Sequence, residues 1–383
     1  MFKDIMLTRK PLAGFVLIGL AWAAFFAQMP AIKAQIGASD AIYGSVFLVA
    51  SGGALLAMWL APFTERYLGR WGMAVAGLCV GLGMLGAGFS HNIIVFGMSM
   101  WLASMGAGVV DVLINVRVSE IETKHDRAFM NLVHALYSFA YALSAFGAGL
   151  LREAGWSPAE VFSAMMLLFV GLCAAMVPKR SVEIPDMTSD APPGLPMRLV
   201  WIAGLIVMVS FLTESASEGW SALHLERTLG GGPAEAALGP AILGLTMGVG
   251  RLSGYLFGHR FRDMQVMRAG CLMAVAGLVL VAVAPAVTVA YAGFALTGLG
   301  VSVVAPLALA CLGRSVPARD RLVAITKASV LGYAAFFVGP PMMGITSEYF
   351  GLRTGFLLVA VILLVSALLL LPALRRQISR TAG

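Results

Sequence analysis

The chain has 383 residues, of which 60% are apolar and only 12% charged. Soluble globular proteins run to about half apolar and about a quarter charged, so this is a membrane composition. The net charge of +7 does not point to nucleic acid, because the basic residues gather in one set of short loops rather than on a folded domain.

About twelve apolar runs follow one another, centred on Leu20, Gly52, Val80, Ala103, Ala140, Leu168, Ile206, Thr246, Gly277, Leu299, Ala335 and Val361. Each is about 18–25 residues long, enough to cross roughly 30 Å of hydrocarbon at about 1.5 Å per residue. None alternates as a barrel strand does, and a helix satisfies its own backbone in lipid. The predicted fold is therefore an all-α integral membrane protein with twelve transmembrane helices. Span 1 follows Lys3, Arg9 and Lys10 and carries no small-residue cleavage site, so it reads as a retained helix rather than a signal peptide. The connections His91-Asn92, Arg152 to Trp156 and Pro285 to Thr288 are short, and one from Leu229 to Pro240 is Gly-rich. The longest, Pro178 to Arg198, is polar, extended and holds five prolines. The expected organisation is a six-helix bundle over 1–177, a cytoplasmic linker over 178–197 and a second bundle over 198–383. No attached soluble domain is expected, which speaks against a receptor with a signalling output. Of the 26 Lys and Arg, only Lys33, Arg152, Arg227 and Arg353 fall on the outer side of this topology. By the positive-inside rule both termini are cytoplasmic, at a plasma membrane such as the bacterial inner membrane.

Sliding the chain by 194 residues aligns its halves. Arg66 falls on Arg260, Gly106 on Gly300, Val109-Val110 on Val303-Val304 and Asp126-Arg127 on Asp320-Arg321. Two parallel repeats in so apolar a chain predict two related bundles around a solute path. Asp111 and His134 instead fall on Ala305 and Ala328, so the ionisable chemistry sits in one half only. Four cysteines, Cys79, Cys173, Cys271 and Cys311, lie inside apolar runs without CxxC spacing and read as structural thiols. No HExxH, Cys/His ligand cluster, P-loop or GxSxG is found, so no metal, no cofactor and no enzymatic activity are expected. The 44 glycines suit close helix packing in lipid rather than phosphate loops.

The six-linker-six layout resembles the major facilitator superfamily. Ala61-Pro62-Phe63-Thr64-Glu65-Arg66-Tyr67-Leu68-Gly69-Arg70 is similar to that family's loop motif between helices 2 and 3. It has Glu65 for the usual Asp and one extra residue before Gly69; Gly250 to Gly254 echoes it in the second half. Within the family the chain resembles the branch that includes fucose permease, through Met29 to Lys33, Asp111 to Asn115, Met130 to His134, and Glu214 with Trp220 to Leu223. Gln28 stands where that branch often has Arg, and Gly219 where it has an acid. The resemblance implies alternating access, inward ion-pair gates, a small-molecule solute with protons as partners, and a monomer in the lipid bilayer.

Charges kept at mid-bilayer cost roughly 2.5–3.5 kcal/mol and need a reason. Asp111 lies roughly 9 Å inside the inner end of span 4, counting about 1.5 Å per residue from Arg117. His134 lies at a similar depth in span 5, and the two are expected to pair. Asn115 shares the face of Asp111. Asn131, His134, Ser138 and Tyr141 form a polar stripe with Tyr137 at its edge; it serves either as a network locking span 4 to span 5 or in solute binding and proton coupling. In span 7, Glu214, Ser217, Glu218 and Ser221 share a face, with Trp220 and His224 close by. Glu214 is expected as a lone proton-loading acid or as a cap on a break near Gly219, and Glu218 nearer the outer surface. Trp220 suits solute stacking or an interface anchor. Glu65, Arg66, Arg251, Arg260 and Lys327 are placed at inner helix ends, where basic side chains snorkel by default. The resemblance makes Glu65, Arg66, Arg251 and Arg260 gate candidates. Pro306 and Gly339-Pro340-Pro341 are expected to bend spans 10 and 11.

The expected proton-coupling set is therefore Asp111, His134, Glu214 and Glu218. The expected solute set is Gln28, Asn115, Asn131, Tyr137, Tyr141 and Trp220. Amides, phenols and one indole without a mid-membrane arginine suit a small neutral or weakly polar solute. Proton-coupled import follows from the branch resemblance; the alternatives are export of an amphipathic compound by antiport and a solute sensor that does not transport.

Overall fold

A computed structural model describes residues 2–125, 129–178, 195–257, 262–317 and 320–381. They form α1 (Phe2–Gln35), α2 (Asp40–Leu68), α3 (Gly72–Gly88), α4 (Ile93–His125), α5 (Met130–Glu153), α6 (Pro158–Met176), α7 (Met197–Leu223), α8 (Pro233–Phe257) and α9 (Asp263–Val283). Then come α10 (Val287–Val301), α11 (Val304–Arg314), α12 (Arg321–Tyr333), α13 (Ala335–Phe350), α14 (Leu352–Val365) and α15 (Leu371–Thr381). Among the described residues there are 12 stretches of helix long and apolar enough to cross a membrane, and no strand. The last three spans are each composite. α10 and α11 meet at Ser302-Val303, α12 and α13 at Ala334, and a π-helical turn, Ser366–Leu370, joins α14 to α15. The first break has a local cause: Pro306 has no N–H to give the carbonyl of Ser302, and its ring crowds that carbonyl. Pro340 and Pro341 lie inside α13, while the break in that span comes earlier, at Ala334.

Side chains on the outside are large and apolar. Leu167 is 82% exposed, Leu143 71% and Ile94 70%, a surface suited to lipid rather than water. Inside, small residues let backbones meet. A Cβ on Gly106 would stand 2.5 Å from the Ala76 carbonyl, where α4 crosses α3. A Cβ on Gly300 would stand 2.3 Å from the Gly270 carbonyl, where α10 crosses α9. Gly300 and Gly270 are the 194-residue equivalents of Gly106 and Ala76, so the repeat extends to tertiary contacts.

Spans 1–6 (α1–α6) and spans 7–12 (α7–α15) pack as two bundles, chiefly through α2 on α13 and α5 on α8. A Cβ on Gly44 would lie 2.4 Å from the Pro340 carbonyl, and one on Gly149 2.3 Å from the Ala237 Cβ, so at these crossings only glycine fits. We call the face holding Phe2 and Thr381 the terminal face. At the opposite face, polar contacts bind the bundles together. The Asp40 carboxylate accepts from Arg227 and from the Ser347 hydroxyl, and its backbone N–H donates to Glu348 at 2.7 Å. Arg152 holds Glu226 in a bidentate pair at 2.7 and 2.8 Å. Arg227 and Glu226 sit in a π-helical turn, His224–Thr228, that extends α7.

At the terminal face, the ion pairs Glu65–Arg117 (2.7 Å) and Asp263–Arg314 each join helices of the same bundle. Glu65, expected to gate between bundles, thus has an ion-pair partner within its own bundle. Glu65 is buried at 4% exposure, and Arg117 reaches it from α4 because both side chains leave lipid for the bundle interior. Arg66 is exposed and lies over the Tyr67 ring at 5.7 Å, with no partner in the other bundle among the described residues. Arg260 lies outside the described residues.

Candidate functional site

A central cavity lies between the bundles. Its part beneath the closed face has a volume of about 340 Å³ and reaches Tyr43, Glu218 and Trp220. It continues into a wider part of about 570 Å³ reaching Asn115, Met130 and Ile325 toward the terminal face. Both parts share Asp111, His134, Glu214, Arg251, Tyr333 and Phe336. The cavity thus widens toward the terminal face and ends under the Asp40–Arg227 contacts at the other.

Helical periodicity builds its walls. Phe15, Ile18, Trp22 and Phe26 face it from α1 at spacings of three and four, and Tyr333, Phe336 and Pro340 do so from the broken eleventh span. Trp22 stacks on Phe26 with centroids 5.7 Å apart. Phe211 meets Tyr333 at 5.8 Å and Phe336 at 5.9 Å. Trp220 meets Tyr43 edge-on at 6.0 Å. The helical spacing of the α1 aromatics was a readable signal that sequence reasoning passed over.

The charged residues sit among these rings. Arg251 on α8 donates to Glu214 on α7 at 3.2 Å and to the Ser138 hydroxyl on α5 at 2.7 Å, so one guanidinium ties both bundles at the cavity wall. This overturns two expectations: Glu214 is not a lone acid, and Arg251 is not a gate at the inner end but a cavity arginine. Its long side chain carries the charge further inward than a count along the helix suggests. Glu218 also lines the cavity, and its carboxylate forms no ion pair among the described residues. The Tyr141 hydroxyl is buried close to the Glu218 carboxylate. Tyr137 lines the cavity and packs against Gly19, where a Cβ would come within 3.1 Å of its ring.

Asp111 and His134 both face the cavity but do not pair. α1 packs against both α4 and α5 and separates them. The imidazole of His134 lies against Phe15 of α1 with centroids 4.7 Å apart. Asp111 instead accepts from the Tyr333 hydroxyl of the other bundle at 3.5 Å. Asn115 lines the wider part and donates to the Asp111 carbonyl at 2.9 Å. Gln28 is fully buried outside the cavity, where its amide donates to the Ala148 carbonyl at 3.0 Å and ties α1 to α5. It does not face solute. His224 is likewise structural, bonded to the Val281 carbonyl at 3.2 Å and packed on Phe356. The side chain of Asn131 lies outside the described residues. Among those described, no group of three His, Cys, Asp or Glu could hold a metal.

Two helical bundles around a cavity bearing acids and one arginine define a polytopic solute carrier in class. Comparison with known proteins bears on the family. Residues 202–383 match the Major Facilitator Superfamily. An uncharacterised MFS-type transporter of Yersinia pestis is 29% identical over 365 residues, covering 92% of each chain. Among solved structures, a bacterial homologue of the human lysosomal transporter Spinster, in an inward-facing, unoccupied conformation, superposes with a TM-score of 0.72 at 14% identity, covering 97% of each chain. A D-xylose–proton symporter superposes with a TM-score of 0.72 at 15% identity, covering 96% of this chain and 97% of its own. The second half of the chain thus resembles the Major Facilitator Superfamily, and the chain as a whole has the fold of these solved transporters.

Proposed function

We propose that this chain is a secondary active carrier that moves a small organic solute across the plasma membrane by alternating access, coupled to protons as a symporter. In this reading residues 1–177 and 198–383 rock about the cavity, the linker 178–197 joins them, and a single chain suffices. In this reading the terminal face is cytoplasmic, which the basic-residue bias supports, and the membrane is a bacterial inner membrane. What carries the reading is the placement of Asp111, Glu214 and Glu218 between two bundles that polar contacts hold together at the face opposite the termini. A carboxylate there exchanges protons with whichever side the cavity faces. The Glu214–Arg251 pair is the deprotonated form; protonating Glu214 releases Arg251 and loosens its hold on Ser138 across the bundles. The symporter among the structural neighbours lends the coupling support by analogy of fold alone. The mainly aromatic and aliphatic lining favours a second reading, antiport of an amphipathic compound.

The test is proton flux in proteoliposomes with an entrapped pH-sensitive dye, challenged with pooled solutes. A pool that drives protons inward with the wild type, and fails with Glu214→Gln or Asp111→Asn, is the expected result. Binding without proton movement from any pool would replace the symporter with a uniporter or a sensor.

A further inference from the structure

We propose that the solute site is built for an organic monocation with a compact apolar body, and that the Glu218 carboxylate is its counter-ion. The inference rests on the carrier reading for the purpose of the site, though not for binding itself. Three acids face the cavity, Asp111, Glu214 and Glu218, against one arginine. Arg251 is taken up by Glu214 at 3.2 Å and by Ser138. Counting His134 as a cation still leaves the wall net negative, and so does a proton on Glu214 with His134 neutral. Glu218 forms no ion pair among the described residues and stands in a space walled by rings, where a positive ligand group would be its counter-charge.

The surroundings of Glu218 suit the rest of such a ligand. It stands on α7 with Gly219 and Trp220. A Cβ on Gly219 would lie 3.6 Å from the Phe26 ring, so the backbone next to Glu218 meets the Trp22–Phe26 stack of α1. Ring faces near a carboxylate hold an alkylammonium group through cation–π attraction and burial together. A volume of about 340 Å³ is ample for a small ring-bearing amine. Other solute classes fit less well. An anion would meet two unneutralised acids. A polyol needs many free hydrogen-bonding groups, whereas the lining is mainly aromatic and aliphatic and two of its serines already donate to backbone, Ser51 to the Phe336 carbonyl at 2.8 Å and Ser215 to that of Leu212 at 3.2 Å. This proposal differs from the neutral or weakly polar solute expected from the residue inventory, because the three acids and the ring walls share one cavity.

Equilibrium dialysis on the purified protein tests the inference, with phenyltrimethylammonium as a permanently charged probe and benzyl alcohol and phenylacetate as neutral and anionic probes of similar size. The cation is expected to bind at least tenfold more tightly than either. Glu218→Gln should weaken it at least tenfold, and Trp22→Leu several-fold, while Glu120→Gln, an exposed acid outside the site, leaves it unchanged. Equal binding of the three probes overturns the inference, even if no variant folds. So does full cation affinity in a monodisperse Glu218→Gln protein. Cation binding that depends on Glu218, without counterflow in liposomes, would sink the carrier reading and leave the cation site standing. Flux of other solutes without cation binding would do the reverse.

Discussion

Asp40→Asn should open the closed face. The Asp40 side chain is 3% exposed and accepts from Lys33 at 2.9 Å within its own bundle, and from Arg227 at 2.9 Å and Ser347 across the interface. Hydrogen bonds to a charged group contribute about 1.5–3 kcal/mol each. Arg227 is 44% exposed, which screens its share, and asparagine retains one acceptor. The net loss to the closed form is about 2–3 kcal/mol, which shifts the open-to-closed ratio about 30- to 140-fold at about 1.4 kcal/mol per decade. The Arg152–Glu226 pair remains and keeps the closed form populated. The reporter is Ala50→Cys, 1% exposed on the cavity wall, labelled in intact cells by a membrane-impermeant thiol reagent. When opening is rare and rapid, the labelling rate follows the open fraction. A rise of tens of fold is expected, and Arg227→Gln added to Asp40→Asn should add little, since both remove the same contact. A change below about twofold in both variants would refute the latch and the reading of this face as the closed one.

Three further outcomes follow from the packing and the charges. Gly44→Ala places a Cβ where the Pro340 carbonyl stands 2.4 Å away, so it should raise Ala50→Cys labelling as Asp40→Asn does, without touching any charge; unchanged labelling would show that α2 and α13 yield freely. Arg251→Gln strips Glu214 of its cation in the cavity and should lower thermal stability by about 1–3 kcal/mol while abolishing solute flux, read by unfolding in detergent and by uptake; normal uptake would remove Arg251 from the mechanism. Glu65→Ala leaves the buried Arg117 without this carboxylate and should cost about 2–4 kcal/mol in the same unfolding assay, with residual flux scaling with folded protein. A stable protein with lost flux would return Glu65 to gating.

Much of the fold was readable in the chain because lipid leaves few choices. A run of about twenty apolar residues must be helical, and its own backbone closes every hydrogen bond. The 194-residue repeat carried further than expected, since Gly106 with Ala76 and Gly300 with Gly270 make equivalent crossings. The site was only half legible. Asp111, His134, Glu214 and Glu218 stand out as costly residues inside spans, and all four line the cavity. Their partners did not show. Depth counted along one helix placed Arg251 at the inner end, because the count ignores side-chain reach. Gln28 looked like a solute ligand because its type is polar, yet its rotation on α1 points it at Ala148.

Sequence alone decided how many times the chain crosses, that its halves repeat, and which ionisable residues are held in the membrane, since each follows from the cost of placing a given residue in hydrocarbon. Tertiary structure alone decided that Arg251 takes Glu214, that α1 parts Asp111 from His134, that Glu218 stands among rings with no ion pair among the described residues, and that Asp40 reaches Arg227 across the bundles. These depend on which helix faces which and at what rotation. Packing of whole bundles fixes that, and no local stretch of sequence encodes it.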